Sequence, residues 1–93
     1  MAWKIEFEAT AAEEFEKPDG SVKNQISKYL KKIEERKNPK SLGEPLYANL
    51  ASYWKYRVGN YRLVADIQDD RLIILFLVIA HRRHIYKIAS KRL

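Results

Sequence analysis

The stretch "YWKYRVGNYRLVADI" limits the fold more than any other part of the chain. Two runs of alternating apolar and polar residues flank Gly59 and Asn60, the pattern of a β-hairpin closed by a two-residue turn. A turn that short sets the register: Val58 faces Tyr61, so Arg57 lies opposite Arg62, Tyr56 opposite Leu63 and Lys55 opposite Val64. One face of the hairpin then carries Trp54, Tyr56, Val58, Tyr61, Leu63 and Ala65, and the other Tyr53, Lys55, Arg57, Arg62 and Val64. The first set is core. The second sets two arginines against each other across adjacent strands, which costs roughly a few tenths of a kcal/mol or more unless something negative lies against them.

The remaining segments supply the rest of a small α+β domain. "WKIEF" alternates Trp3, Ile5 and Phe7 with charged residues and reads as a half-buried first strand. Thr10 and Glu13 match a capping box, which starts a short helix that stops before Pro18. Ser21 is placed to cap a longer helix whose Val22, Ile26, Tyr29, Leu30 and Ile33 recur at steps of three and four. "RKNPKSLGEPL" holds two prolines and reads as a loop. "RLIILFLVIA" lacks polar alternation and reads as a central strand buried on both faces. The fold expected is an antiparallel sheet with an N-terminal strand, two helices packed on one face, then three antiparallel strands. The basic segment "HRRHIYKIASKRL" is too short in period to choose between strand end, turn and helix. With 93 residues, the whole of 1–93 forms one domain.

Charge narrows the partners. Lysines and arginines outnumber acids 18 to 12, a formal net charge of +6, which makes polyanions the first class to consider. The acids crowd the start of the chain, whereas from Arg71 onward there are only cations. The chain has no cysteine, so disulfides and thiolate metal sites are excluded and a reducing cytoplasm is the expected setting. Its longest apolar run, "LIILFLVIA", is too short for a membrane helix, and the chain reads as soluble with no membrane partner.

The cations Lys55, Arg57 and Arg62 on one sheet face, joined by Arg82 and Arg83, form a surface suited to a phosphate chain, with guanidinium forks and an ammonium point charge. Tyr53 shares that face and can stack a base or cover the sheet edge. His81 and His84 lie three apart with no carboxylate nearby in sequence and several cations around them, which disfavours a metal site; a histidine there can act as an acid or base or simply end a strand. Tyr86, amid Arg82, Arg83 and Lys87, can serve the same surface or pack the C-terminal segment.

"YRVGNYRLVADI", the apolar strand after it and "AHRRHIYK" resemble the RelE branch of the RelE/ParE toxins of type II toxin–antitoxin modules, and the resemblance spans nearly the whole chain. It implies an mRNA endoribonuclease without cofactor or metal that acts in the ribosomal A site and is neutralised by a cognate RelB-like antitoxin. By position, Arg62 would hold the scissile phosphate, Lys55 would stabilise charge or assist deprotonation, Arg82 would stabilise the transition state, and Tyr86 would orient the base or move a proton. Arg57 and Arg83 become secondary phosphate contacts. The chain has Tyr53 where the RelE pattern carries a second lysine, which leaves His81 as a substitute proton acceptor. If "HRR" extends the strand, Arg83 rather than Arg82 shares the Lys55 face, whereas the resemblance selects Arg82. Two other functions fit the same fold: a ParE-like toxin that poisons DNA gyrase without cleaving RNA, and an RNA-binding domain that has lost turnover.

The hairpin register also leaves Ile73, Leu75 and Leu77 on the open face of the sheet, an apolar strip that an acidic antitoxin segment or the chain's own "IYKIASKRL" would have to cover.

Overall fold

In the computed structural model, which describes residues 3–93, Gly59 takes φ +57 at the first central position of the hairpin turn while Asn60 stays out of the left-handed region, the pattern of a type II′ turn. The turn joins β3 (Trp54–Val58) to β4 (Tyr61–Gln68), paired as Val58 with Tyr61, Arg57 with Arg62, Tyr56 with Leu63 and Lys55 with Val64. Around it the chain runs β1 (Lys4–Phe7), α1 (Ala9–Glu16), α2 (Gly20–Glu34), β2 (Glu44–Pro45), β3, β4, β5 (Ile73–His81) and α3 (Ile85–Arg92). Short 3-10 turns at Pro39–Leu42 and Ala48–Leu50 lie on either side of β2.

The sheet has the order β1-β5-β4-β3-β2, antiparallel except that β1 runs parallel to β5. The α+β layout is as expected; the parallel first strand, the two-residue β2 and the third helix are additions. The parallel pairing follows from chain geometry: two helices intervene before the hairpin, long enough for the crossover that a parallel neighbour requires.

Both helix starts depart from the capping residues read in the sequence. Glu8, not Thr10, caps α1, its Oε1 accepting from Thr10 N at 2.8 Å and Ala11 N at 3.3 Å. Asp19, not Ser21, caps α2: its Oδ1 accepts from Val22 N at 3.1 Å and from the Ser21 hydroxyl at 2.9 Å. A carboxylate at a helix N-terminus gains from the helix dipole as well as the hydrogen bond, and a hydroxyl gains only the bond.

Two cores lie on opposite faces of the sheet. Beneath α1 and α2 pack Trp3, Ile26, Ile33, Tyr56, Val58, Leu63, Ala65, Ile74, Phe76 and Ile79. On the other face, Val64, Val78 and Ala80 pack with Leu46, Leu50 and the α3 residues Ile85 and Ala89. The segment that was ambiguous in sequence is therefore a helix covering the face the hairpin leaves open. Of the apolar strip, Ile73 is buried, Leu77 joins the α3 core and Leu75 stays half-buried.

A bulge on β5 makes both faces possible. Val64 pairs with Val78 and Ala65 with Phe76, so Leu77 is extra and side-chain parity reverses across it. Ile74 and Phe76 face α1 and α2; Val78 and Ala80 face α3.

Beyond Phe7 the ladder of β1 stops and the outer edge of β5 would be left unpaired. Two side chains continue it. Glu14 of α1 accepts from Ile79 N through Oε1 at 3.1 Å, and Arg92 of α3 donates through Nη1 to Leu77 O at 3.0 Å. The same two groups form a fork, Arg92 Nη1 to Glu14 Oε1 at 3.0 Å and Nη2 to Glu14 Oε2 at 2.9 Å. The fork raises the arginine above its ordinary value through the hydrogen bonds it donates to Glu14.

Gly43 lets the β2 loop lie against β3. A Cβ there would meet Lys55 O at 2.5 Å, Trp54 Cδ1 at 2.9 Å and Tyr56 Cδ1 at 3.0 Å. The nearest atom is strand backbone, so Gly43→Ala must push the loop off β3. We expect a loss of about 2 kcal/mol, read as a fall of roughly 8–16 °C in the midpoint of thermal unfolding.

Candidate nucleic-acid interface

Lys55 projects from β3 onto the α3 face beneath two tyrosines. Its Nζ donates to Tyr86 Oη at 3.3 Å and lies 3.5 Å from Glu44 Oε1. The ammonium sits 5.1 Å from the Tyr86 ring centroid and 5.9 Å from that of Tyr47, within cation–π range of both. Its side chain is only 13% exposed, so the charge is held in place by these neighbours. Lys55, unlike the arginines of that face, has an acidic neighbour: β2 sets Glu44 directly opposite it and supplies a carboxylate.

Arg62 is positioned by its own turn. Nη1 donates to Gly59 O and Tyr61 O, both at 2.9 Å, leaving its other donors available. Partial burial, then the charges of Arg57 and Arg82, lower its guanidinium below the ordinary arginine value, with Glu44 opposing. Among the described residues, Arg57, Arg62, Arg82 and Arg83 make no ion pair. A cleft of about 460 Å³ opens beside Lys55 and Arg57, lined also by Tyr29, Ser41, Leu42, Gly43 and Glu44.

The bulge changes the count that leads to the two arginines after β5. Counted without it, the residues on the Lys55 face end at Arg83; with Leu77 extra, Val78 and Ala80 lie on that face and Arg82 follows them. The strand ends at His81, and Arg82 N donates to Asn60 O at 2.7 Å, which ties it to the turn that holds Arg62. Arg82 and Arg83 are both exposed in the turn between β5 and α3.

His81 is placed differently. It pairs with Tyr61 and its ring meets the Tyr61 ring edge-on at 5.8 Å, on the face opposite Arg62. Its Nδ1 accepts from Arg83 N at 3.2 Å, a bond that needs the neutral imidazole. Partial desolvation, then Arg83, Arg82, His84 and Arg62, hold it below its ordinary 6.5. The folded chain thus binds this proton less readily than the unfolded chain. The stability contributed by the neutral ring is present above pH 6.5 and is lost as pH falls through the lower folded value. An NMR titration of the His81 ring protons is expected to show a midpoint below 6.5.

Tyr53 is half-buried and packs on the core beneath α3. The exposed aromatic is Tyr47, 72% accessible. Nothing in the sequence marked Tyr47 or Glu44, because "EPLYANLAS" carries no period. Among the described residues no three His, Cys, Asp or Glu side chains gather as a metal-ligand set, and no helix is long and apolar enough to cross a membrane.

Residues 5–86 match the family model described as the ParE toxin of the type II toxin–antitoxin system parDE. The chain belongs to that family. It is also similar to a RelE-like toxin protein of Escherichia coli, 30% identical over 96 residues that cover 100% of this chain and 99% of the relative. Toxin RelG of Mycobacterium tuberculosis is 35% identical over 51 residues, 55% of this chain and 59% of its own length. In fold, the chain resembles one in the RelBE2 toxin–antitoxin complex of M. tuberculosis, with TM-score 0.78 and 24% identity over 88% of this chain and 93% of that one. It also resembles a variant of E. coli RelE bound to an antitoxin RelBc peptide, with TM-score 0.68 and 25% identity over 100% and 99% of the two chains. This is a RelE-like toxin of the RelE/ParE superfamily.

Proposed function

We propose that this toxin is a ribosome-dependent mRNA endoribonuclease that works in the cytoplasm without a metal. The observation that carries the reading is the cluster of Arg57, Arg62 and Arg82, which lack ion-pair partners among the described residues beside a Lys55 held under Tyr86. Such a cluster is unfavourable for folding and suits a phosphate that gains charge during reaction.

In the proposed reaction the 2′-hydroxyl of one nucleotide loses its proton and attacks the adjacent phosphorus. The bond to the 5′-oxygen breaks, leaving a 2′,3′-cyclic phosphate, and the departing oxygen takes up a proton. Arg62 and Arg82 bind the phosphate oxygens and stabilise the extra negative charge. Lys55, adjacent to both Glu44 and Tyr86, lies where protons can be relayed. The ribosome supplies the alignment of the RNA strand that a shallow face cannot impose alone.

Relatives of similar fold occur in complexes with antitoxins. We infer that a cognate RelB-like antitoxin neutralises this chain as well, its acidic groups answering the basic face.

Primer extension on a defined mRNA in programmed ribosomes tests the reading: codon-registered cuts support it, and intact mRNA overturns it. The match to the ParE family model favours a second reading, gyrase poisoning, in which expressing cells accumulate gyrase-dependent DNA breaks while their mRNA stays whole.

A further inference from the structure

We propose that Tyr47 is a nucleobase platform, on whose outward ring face a base of the bound RNA strand stacks while Lys55 and Arg62 hold the phosphate chain. This rests on the face being an RNA site. One face of the ring is occupied: it lies parallel to Tyr86, with centroids 5.3 Å apart and an angle of 7°. At 72% exposure the other face is turned to solvent, and Tyr47 is the one large apolar residue so exposed among the described residues.

The exposure is not the accident of a loose loop. Leu46 and Leu50, on either side of Tyr47, are buried at 3% and 5% exposure. Leu46 N donates to Tyr53 O at 3.1 Å and Leu50 N to Tyr47 O at 3.0 Å, so the backbone is pinned on both sides. The next residue, Ala48, has φ +52, a left-handed conformation that an alanine adopts only at a cost. A ring held outward by buried anchors and a strained neighbour is pre-organised for an aromatic partner. With Lys55 Nζ 5.9 Å from the Tyr47 centroid, the partner arrives beside a cation, the combination by which single strands are bound as base stacks and phosphates.

The test uses the full chain and an uncleavable hexanucleotide, 2′-O-methylated throughout, with 2-aminopurine placed at each position in turn. Fluorescence quenching is expected at one position. Tyr47→Ala should abolish that quenching and weaken binding about tenfold, whereas Tyr47→Phe and Tyr47→Trp, which keep a ring on Tyr86 and guard against a fold defect, should retain both. In the ribosomal assay Tyr47→Ala should raise KM, and Tyr47→Phe should keep it near the native value. No quenching at any position, or equal affinity of the native protein and Tyr47→Ala, overturns the platform. So does a Tyr47→Ala variant that binds RNA normally but loses antitoxin affinity, which assigns the ring to a protein partner. A native protein that stacks the probe but cuts no mRNA removes the nuclease reading and leaves the platform standing; cutting with no stacking does the reverse.

Discussion

Arg62→Ala is expected to lower the rate of mRNA cleavage on programmed ribosomes by roughly a hundred- to a thousand-fold without weakening the fold. Two carbonyls of its own turn aim the guanidinium, and it lies in strand register with Arg57. Removing it takes away a forked donor for the phosphate and at the same time relieves a like-charge contact. Urea unfolding should therefore show Arg62→Ala as stable as the native chain or slightly more so. An inactive variant that is no less stable separates a functional arginine from a structural one. Arg62→Lys keeps the charge but loses the fork and should recover only part of the rate. Arg82→Ala is expected to behave likewise, and Arg83→Ala to lose little. Cleavage by Arg62→Ala at the native rate would remove this residue from the mechanism.

Arg92→Ala is expected to destabilise the fold by about 2–3 kcal/mol, a fall of roughly 8–24 °C in unfolding midpoint for a domain of this size. The loss has two sources. Leu77 O loses its donor, and Glu14, whose side chain is 11% exposed, keeps its charge and its bond to Ile79 N without the guanidinium that balanced it. Glu14→Ala removes the same fork from the other side. The double variant should be less destabilised than the sum of the two, because both singles break one contact. Since α3 carries Tyr86, activity should fall with stability and recover at lower temperature, which Arg62→Ala should not do. Additive losses would show that Glu14 and Arg92 act independently.

The hairpin was readable because a two-residue turn leaves its strands no choice of register, and the faces of β3 and β4 follow from that alone. The helices were readable from their period, although a neighbouring carboxylate took each cap. What escaped the sequence depends on residues far apart in the chain. The bulge at Leu77 sits in a run with no polar alternation, so nothing marks where parity reverses, and with it went the count that leads to Arg82 and Arg83. The third helix is short, and its strongest anchors are Ile85 and Ala89 in the second core and Arg92 on Glu14. Tyr53 is a stacking candidate from its place on the Lys55 face, whereas Tyr47 carries no signal in the sequence. Only the loop from Leu46 to Leu50 decides which is covered and which is open.

The clasp between Glu14 and Arg92 joins positions 78 apart, and β1 finds its partner only in β5. A fold that depends on such distant pairings is slow to assemble, because each closure costs chain entropy before it brings contacts. Synthesis adds a constraint of its own: β1 and the two helices emerge before any strand exists to receive them, and Tyr86 takes its place over Lys55 only once α3 has been made. A growing chain therefore displays the arginines of the hairpin before the arrangement around Lys55 is complete. The surroundings of Lys55 are thus the last part of the fold that synthesis can complete.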